Sequence, residues 1–254
     1  MSEPTRKRVA ILISGRGSNM TALIEAASEP SYPAEIALVV SNNPDAAGLG
    51  RARAAGIVTA AIDHRPFGTD RAGFEHALQR VLEAHRIDLV CLAGFMRLLT
   101  AEFTSAWRGR IINIHPALLP AFRGLDTHAR ALAAGATTHG ATVHFVVPEM
   151  DAGPVIAQAA VPVLAGDTPE ALAARVLRVE HEIYPAALRA LAAGQVAIDT
   201  IKKPPGISRG LTGTPWGVLR DLEVFGGRLA PVGDELELDR LSLVERAQSR
   251  PFYR

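Results

Sequence analysis

The chain is 254 residues long, enough for one large α/β domain or one domain with an appendage, and too short for a two-enzyme fusion. Hydrophobic residues at 48% against 21% charged exclude a disordered chain, and with only 5% aromatics the core must be aliphatic. The 27 Lys and Arg against 26 Asp and Glu leave a formal charge of +1, so no global field holds a polyanion and no nucleic-acid partner is expected.

The basic start Arg6, Lys7, Arg8 runs into only Val9 to Ile13 before Ser14 and Gly15 interrupt it. That run is too short for a signal-peptide core or a membrane span, so the expected compartment is the cytoplasm and no membrane partner is expected. Val9 to Ile13, Ile36 to Val40, Ile57 to Ile62, Leu89 to Ala93 and Ile111 to Ile114 read as strands. Helical spacing falls between them, near Asn19 to Ala27, Ala46 to Ala55, Arg71 to His85 and Ala101 to Trp107. This alternation predicts an α/β fold with a mostly parallel, doubly wound sheet whose ligands sit beyond the carboxyl ends of the strands.

After His115 the pattern changes. A turn with Pro116 and Pro120 and a short helix near Thr127 to Ala134 precede two runs, Ala141 to Val147 and Val155 to Val163, joined by Pro148 to Pro154. They predict an antiparallel C-terminal portion of the sheet. A long helix follows, with Thr168 as N-cap, Pro169 at the first position and Glu170 in the first turn, running to Ala193 and stopped by Gly194. Pro204, Pro205, Gly206, Gly210, Gly213 and Pro215 make Lys202 to Trp216 a connector. The expected division is therefore 1–206 as the main domain and 207–254 as an extension, with Leu222 to Leu229 a hairpin around Gly226-Gly227 that packs on the core.

Chemistry is suggested at three places. The first strand ends in Ser14-Gly15-Arg16-Gly17-Ser18-Asn19 and feeds a helix, so free backbone N–H groups meet a positive helix end suited to a phosphate. Met20 stands where the dinucleotide fingerprint needs its third glycine, and no Gly-Lys-Ser/Thr follows. A tight turn capped by Ser18 or Asn19 explains the segment equally well. In Ile111-Ile112-Asn113-Ile114-His115-Pro116, strand alternation puts Asn113 and His115 on one face and Ile112 and Ile114 on the other. An amide and an imidazole at one strand end can serve an oxyanion and a proton transfer, or can simply be a satisfied polar strand end. Asp151, in Asp151-Ala152-Gly153-Pro154, reads as a turn residue or as a carboxylate favouring the protonated form of His115. His144 is either a partner of that site or a core histidine.

Other chemistries lack carriers. His139 and His144 fall on opposite strand faces and His181-Glu182 lacks a second histidine, so no metal is expected. No Gly-x-Ser-x-Gly elbow occurs, and the single Cys91 lies in an apolar run where a thiol is a small core residue. Direct transfer of a group between two bound small molecules remains.

Several segments together resemble the phosphoribosylglycinamide formyltransferase family of folate-dependent formyltransferases. They are Gly15-Arg16-Gly17-Ser18-Asn19, Leu92-Ala93-Gly94-Phe95-Met96-Arg97, Asn113-Ile114-His115-Pro116-Ala117-Leu118-Leu119-Pro120, His139-Gly140, Val143-His144-Phe145, Met150-Asp151-Ala152-Gly153-Pro154 and Glu180-His181-Glu182-Ile183-Tyr184-Pro185. They run in order over about Arg8 to Val196, so the resemblance implies that 1–206 is a formyltransferase catalytic domain. It implies formyl transfer from 10-formyltetrahydrofolate, as co-substrate, to the amine of glycinamide ribonucleotide in purine synthesis, by a monomer or homodimer. Asn113, His115 and Asp151 are then the catalytic set; Gly17, Ser18 and Asn19 bind the substrate's phosphate, and Glu180 its ribose. Arg71, Met96, Arg97, Leu98, Leu99, Asn113, Val147, Pro148, Glu149, Met150 and Asp151 match the folate contacts. Arg123, Asp126, Leu177 and Arg178 depart from the family pattern. Methionyl-tRNA formyltransferase and formyltetrahydrofolate hydrolase share the catalytic pieces, and the phosphate loop is what selects the ribonucleotide as acceptor. A catalytically silent nucleotide-binding protein would need the glycine loop alone, and the joint presence of Asn113, His115 and Asp151 favours the enzyme.

Overall fold

The computed structural model describes residues 6–201 and the short segments 223–224 and 227–228. Seven strands form one sheet: β1 (Lys7–Ile13), β2 (Ala34–Ser41), β3 (Thr59–Ala61), β4 (Leu89–Leu92), β5 (Ile111–His115), β6 (Thr138–Phe145) and β7 (Val155–Pro162). Their spatial order is β3-β2-β1-β4-β5-β6-β7; the first five run parallel, and β5 with β6 and β6 with β7 pair antiparallel. The expected mixed architecture is therefore the observed one.

Alternation along the strands divides the core. Val9, Ile11 and Ile13 join Met20 and Leu23 of α1 (Ser18–Ala27), Leu49 of α2 (Ala47–Ala54) and Val176, Ile183 and Leu188 of α6 (Pro169–Ala192). Ala10 and Leu12 face the other way, onto Phe74, Leu78 and Leu82 of α3 (Arg71–Ala84) and Phe103 of α4 (Ala101–Ala106). Ile112 and Ile114 belong to the first layer and Ile111 to the second, which places Asn113 and His115 on the α3/α4 side. On the other side the buried Tyr184 hydroxyl of α6 shares its proton between the Leu92 and Ile112 carbonyls at 2.9 and 3.2 Å, tying the end of β4 to β5 just before Asn113.

The expected helices all form, α5 among them (Thr127–Ala133), and Thr168 Oγ1 caps α6 by accepting from Ala171 N–H at 3.2 Å. Strand limits shift where backbone pairing rather than side-chain pattern decides. β6 begins at Thr138, three residues before the apolar run, because Thr138, His139 and Gly140 pair with Pro162, Val161 and Ala160. Gly140 permits that approach: a Cβ there would stand 2.0 Å from the Ala159 carbonyl oxygen. In the extension, β8 (Glu223–Val224) and β9 (Gly227–Arg228) pair antiparallel with Val224 opposite Gly227. Gly227 is taken up in the ladder, and the expected turn residue Gly226 lies outside the described residues. Packing of this hairpin on the core lies outside the described residues.

Candidate active site

Asn113 and His115 leave β5 on the same face, and β6 brings its own polar residues opposite them, His144 against Asn113 and Thr142 against His115. Asn113 Nδ2 donates to His144 Nε2 at 3.2 Å, and His144 Nδ1 donates to its neighbour's carbonyl, Phe145 O, at 2.9 Å. That pattern requires a neutral His144, and burial lowers its pKa below the ordinary histidine value, outweighing the Phe145 bond and the charge of Asp151. Between the two readings left open for His144, the geometry selects partner of the site: it holds the Asn113 amide and leaves the second amide hydrogen for another acceptor.

Asp151 reaches the same point from the β6–β7 loop. Its Oδ2 lies 3.5 Å from His115 Nδ1 and its Oδ1 lies 3.7 Å from His144 Nε2, with the carboxylate side chain only 11% exposed. Two local features bring it there. Asp151 adopts φ 51°, the left-handed region that Asp and Asn tolerate best among residues with a Cβ, and Gly153 sits where a Cβ would fall 1.7 Å from the Phe145 carbonyl oxygen. The loop therefore folds flat against the end of β6. His115 Nε2 donates to the Phe122 carbonyl at 3.0 Å, and Gly124 N–H donates to Asp151 Oδ2 at 2.9 Å, so the turn after β5 closes over both residues. Arg130 supports this turn by donating to the Arg123 and Leu125 carbonyls at 2.6 and 3.1 Å. Thr142 anchors its start, donating to Ala117 O at 2.6 Å and accepting from Leu119 N at 3.0 Å.

At the end of β1 the glycine loop turns into α1 without a side-chain cap; Gly17 itself stands at the N-cap with φ 73°. Capping by Ser18 or Asn19, one of the two readings, is not what the segment does. Asn19 is turned inward, where its Nδ2 donates to Glu180 Oε2 at 2.6 Å and its buried Oδ1 has no hydrogen-bond partner among the described residues. Burial pushes the Glu180 carboxyl above its usual range, against the opposing effect of the Asn19 bond. Gly48 N–H donates to the Gly15 carbonyl at 3.0 Å, pinning the loop to α2. Uncapped helical N–H groups suit an anion, and the unsatisfied buried amide oxygen of Asn19 can accept only from a donor such as a hydroxyl.

The expected folate residues divide. Met96, Leu98 and Met150 are 62%, 58% and 54% exposed, among the large apolar side chains most open to solvent in the described residues. Val147 and Glu149 line a pocket of about 280 Å³ with Leu119, Arg123 and Asp151, and Pro148 lies exposed between them. Leu99 packs against the α3/α4 layer, and the Arg97 guanidinium lies 5.7 Å above the Phe74 ring. Arg71 is the exposed first residue of α3, joined to the Met96 segment through Phe74 on the next turn of the helix, and takes no part in the His115 cluster. Among the described residues no group of three or more His, Cys, Asp or Glu is placed to hold a metal, and no helix is long and apolar enough to cross a membrane.

Residues 7–188 match the formyl transferase family model. The chain belongs to that family. It is 45% identical over 188 residues to the phosphoribosylglycinamide formyltransferase of Escherichia coli, covering 74% of this chain and 88% of that protein. It is 50% identical over 196 residues to the trifunctional purine biosynthetic protein adenosine-3 of Bos taurus, spanning 77% of this chain and 19% of that much longer protein. Among solved structures, phosphoribosylglycinamide formyltransferase from Brucella melitensis superimposes with a TM-score of 0.71 at 54% identity, over 76% of this chain and 98% of the other. Glycinamide ribonucleotide transformylase 1 from Symbiobacterium toebii gives a TM-score of 0.74 at 46% identity over 77% and 92%. The formyl transferase match ends at residue 188, inside α6, so the extension lies beyond it.

Phe122 O, Gly124 N–H, Thr142 and Gln158 were not anticipated in the site. The first two act through backbone atoms, which leave no residue-type signal. Gln158 faces Thr142 in the β6–β7 register and donates to its Oγ1 at 2.9 Å, a pairing readable only once that register is known.

Proposed function

We propose that the protein transfers the formyl group of 10-formyltetrahydrofolate to the amine of glycinamide ribonucleotide, giving formylglycinamide ribonucleotide and tetrahydrofolate in purine biosynthesis. The observation that carries this reading is the meeting of Asn113, His115 and Asp151 at the carboxyl end of β5, with the uncapped glycine loop at the neighbouring end of the sheet. In the proposed arrangement Gly17, Ser18 and Asn19 take the phosphate and Glu180, already polarised by Asn19, takes ribose hydroxyls. The exposed Met96, Leu98 and Met150 suit the flat, largely apolar rings of a folate, and Arg71 and Arg97 suit its carboxylates.

The amine lone pair attacks the formyl carbon, and the carbonyl electron pair moves onto oxygen. The free hydrogen of the Asn113 amide and the Nε2–H of His115 are the donors for that oxyanion, which must displace the Phe122 carbonyl from His115. Asp151, with Oδ2 3.5 Å from His115 Nδ1, stabilises the positive charge that the attacking nitrogen acquires. Collapse re-forms the carbonyl, breaks the bond to the folate nitrogen, and delivers to that nitrogen the proton lost by the amine. The work is done in the cytoplasm on two small molecules, with the folate as a co-substrate.

Purified protein given both substrates is expected to release tetrahydrofolate, and none when given 10-formyltetrahydrofolate alone. Release from the folate alone would make the protein a hydrolase and overturn the proposal.

A further inference from the structure

The exposed loop from Gly94 to Leu99 is fastened at both ends by side chains that the reaction above does not use. At one end Met96 N–H donates to Ser14 Oγ at 2.7 Å, while the same hydroxyl donates to Asn42 Oδ1 at 2.5 Å. A serine hydroxyl has one proton, so giving it to Asn42 turns the oxygen lone pairs toward Met96. Asn42 is itself buried, and its backbone is held because His64 Nδ1 donates to its main-chain carbonyl at 2.8 Å. At the other end the buried Glu75 of α3 accepts from Thr100 N–H at 2.6 Å and from the Thr100 hydroxyl. Ser14 is the last residue before the glycine loop, so its side chain ties the strand end that leads into that loop to the segment carrying Met96 and Leu98.

We infer that Ser14 is a positioning residue that sets the loop Gly94 to Leu99 in register with the glycine loop, so that folate and ribonucleotide meet at His115. This inference rests on the proposed function in assigning the Met96 segment to the folate. The backbone of the glycine loop is held without the Ser14 hydroxyl: Ser14 N–H donates to Gly94 O at 3.1 Å and Gly48 N–H to Gly15 O at 3.0 Å. Loss of the hydroxyl therefore frees the Met96 backbone between the retained ties at Gly94 and Thr100 and leaves the phosphate side in place, an asymmetry that a general loss of packing would not produce.

Steady-state kinetics and equilibrium binding of tetrahydrofolate, followed by fluorescence, test this on Ser14→Ala and Ser14→Thr. For Ser14→Ala the KM for 10-formyltetrahydrofolate and the Kd for tetrahydrofolate should rise about five- to tenfold, the ordinary worth of one hydrogen bond. The KM for glycinamide ribonucleotide should stay within about twofold, and Ser14→Thr, which keeps the hydroxyl, should restore folate binding. Unchanged folate parameters, equal loss for both substrates, or a Thr variant as impaired as Ala would overturn the inference. Should Ser14→Ala fail to fold, Asn42→Ala removes the acceptor that orients the hydroxyl and must give the same split at smaller size, or the inference falls. Wild-type protein that binds tetrahydrofolate but transfers no formyl group overturns the proposed function while the Kd of the variants still decides the role of Ser14. Wild-type protein that binds no folate overturns both.

Discussion

Replacing Asp151 by Asn isolates the charge of the carboxylate from its shape. The backbone there has φ 51°, which Asn tolerates as well as Asp does, and an Asn oxygen still accepts from Gly124 N–H, so the loop should keep its place. What disappears is a unit negative charge 3.5 Å from His115 Nδ1, on a side chain 11% exposed. Two unit charges about 4 Å apart interact by about 1 kcal/mol in water and about 4 kcal/mol at an effective dielectric constant near 20. A carboxylate this little exposed, facing the amine once it has become cationic, belongs toward the upper figure, and about 3 kcal/mol of barrier corresponds to roughly two orders of magnitude in rate. In the variant kcat should therefore fall about a hundredfold or more while both KM values change less than about threefold, because the lost interaction is strongest when the amine has become cationic. Tetrahydrofolate formation under saturating substrates measures this directly. A kcat within threefold of wild type, about 0.65 kcal/mol, would mean that Asp151 is only a turn residue.

Other perturbations follow from the same geometry. Asn113→Ala and His115→Ala should each lower kcat by about two to three orders of magnitude with unaltered circular dichroism, and activity within threefold of wild type would remove the residue from the catalytic set. Gly17→Val should raise the KM for the ribonucleotide at least about tenfold and spare folate binding, since Gly17 has φ 73° and an added Cβ would stand 3.0 Å from the Met20 methyl; equal loss for both substrates would indicate misfolding instead. Truncation after Pro205 should retain turnover, and a folded but inactive product would show that the extension contributes to the site. Burial, with His128 and His115 nearby, depresses the pKa of His139 to about 4 from an ordinary value near 6.5. The unfolded chain then binds the extra proton between those limits, so His139 costs stability as pH falls from about 6.5 toward 4 and contributes nothing to the pH dependence above. The melting temperature of His139→Asn should fall less steeply over that interval than that of wild type, and parallel curves would contradict the assignment.

The parts of this fold that repeat a local rule were legible in the sequence. Period-two alternation placed Asn113 and His115 together, and Thr168-Pro169-Glu170 marked the start of α6, because strand and helix geometry act within a few residues. The arrival of Asp151 at His115 was not legible from its own segment. An Asp-Ala-Gly-Pro stretch reads as a turn, and what directs it is the contact of Gly153 with the Phe145 carbonyl and the pairing of Gly124 with the carboxylate, both long-range. His144 could be read as core or as partner until the β5–β6 register set it opposite Asn113. The glycine loop was undecided for a similar reason, since the residue that draws Asn19 away from the helix cap is Glu180, on the last long helix. For the site residues themselves, ordered family segments carried more than any one motif did.

Direct transfer between two bound substrates is the central claim, and following the carbon itself tests it most closely. With 10-formyltetrahydrofolate labelled with carbon-13 in the formyl group and glycinamide ribonucleotide in excess, NMR should show the label passing entirely into the formamide of the product, with no signal from free formate. Label appearing as formate, or remaining on the folate while glycinamide ribonucleotide is present, would contradict it.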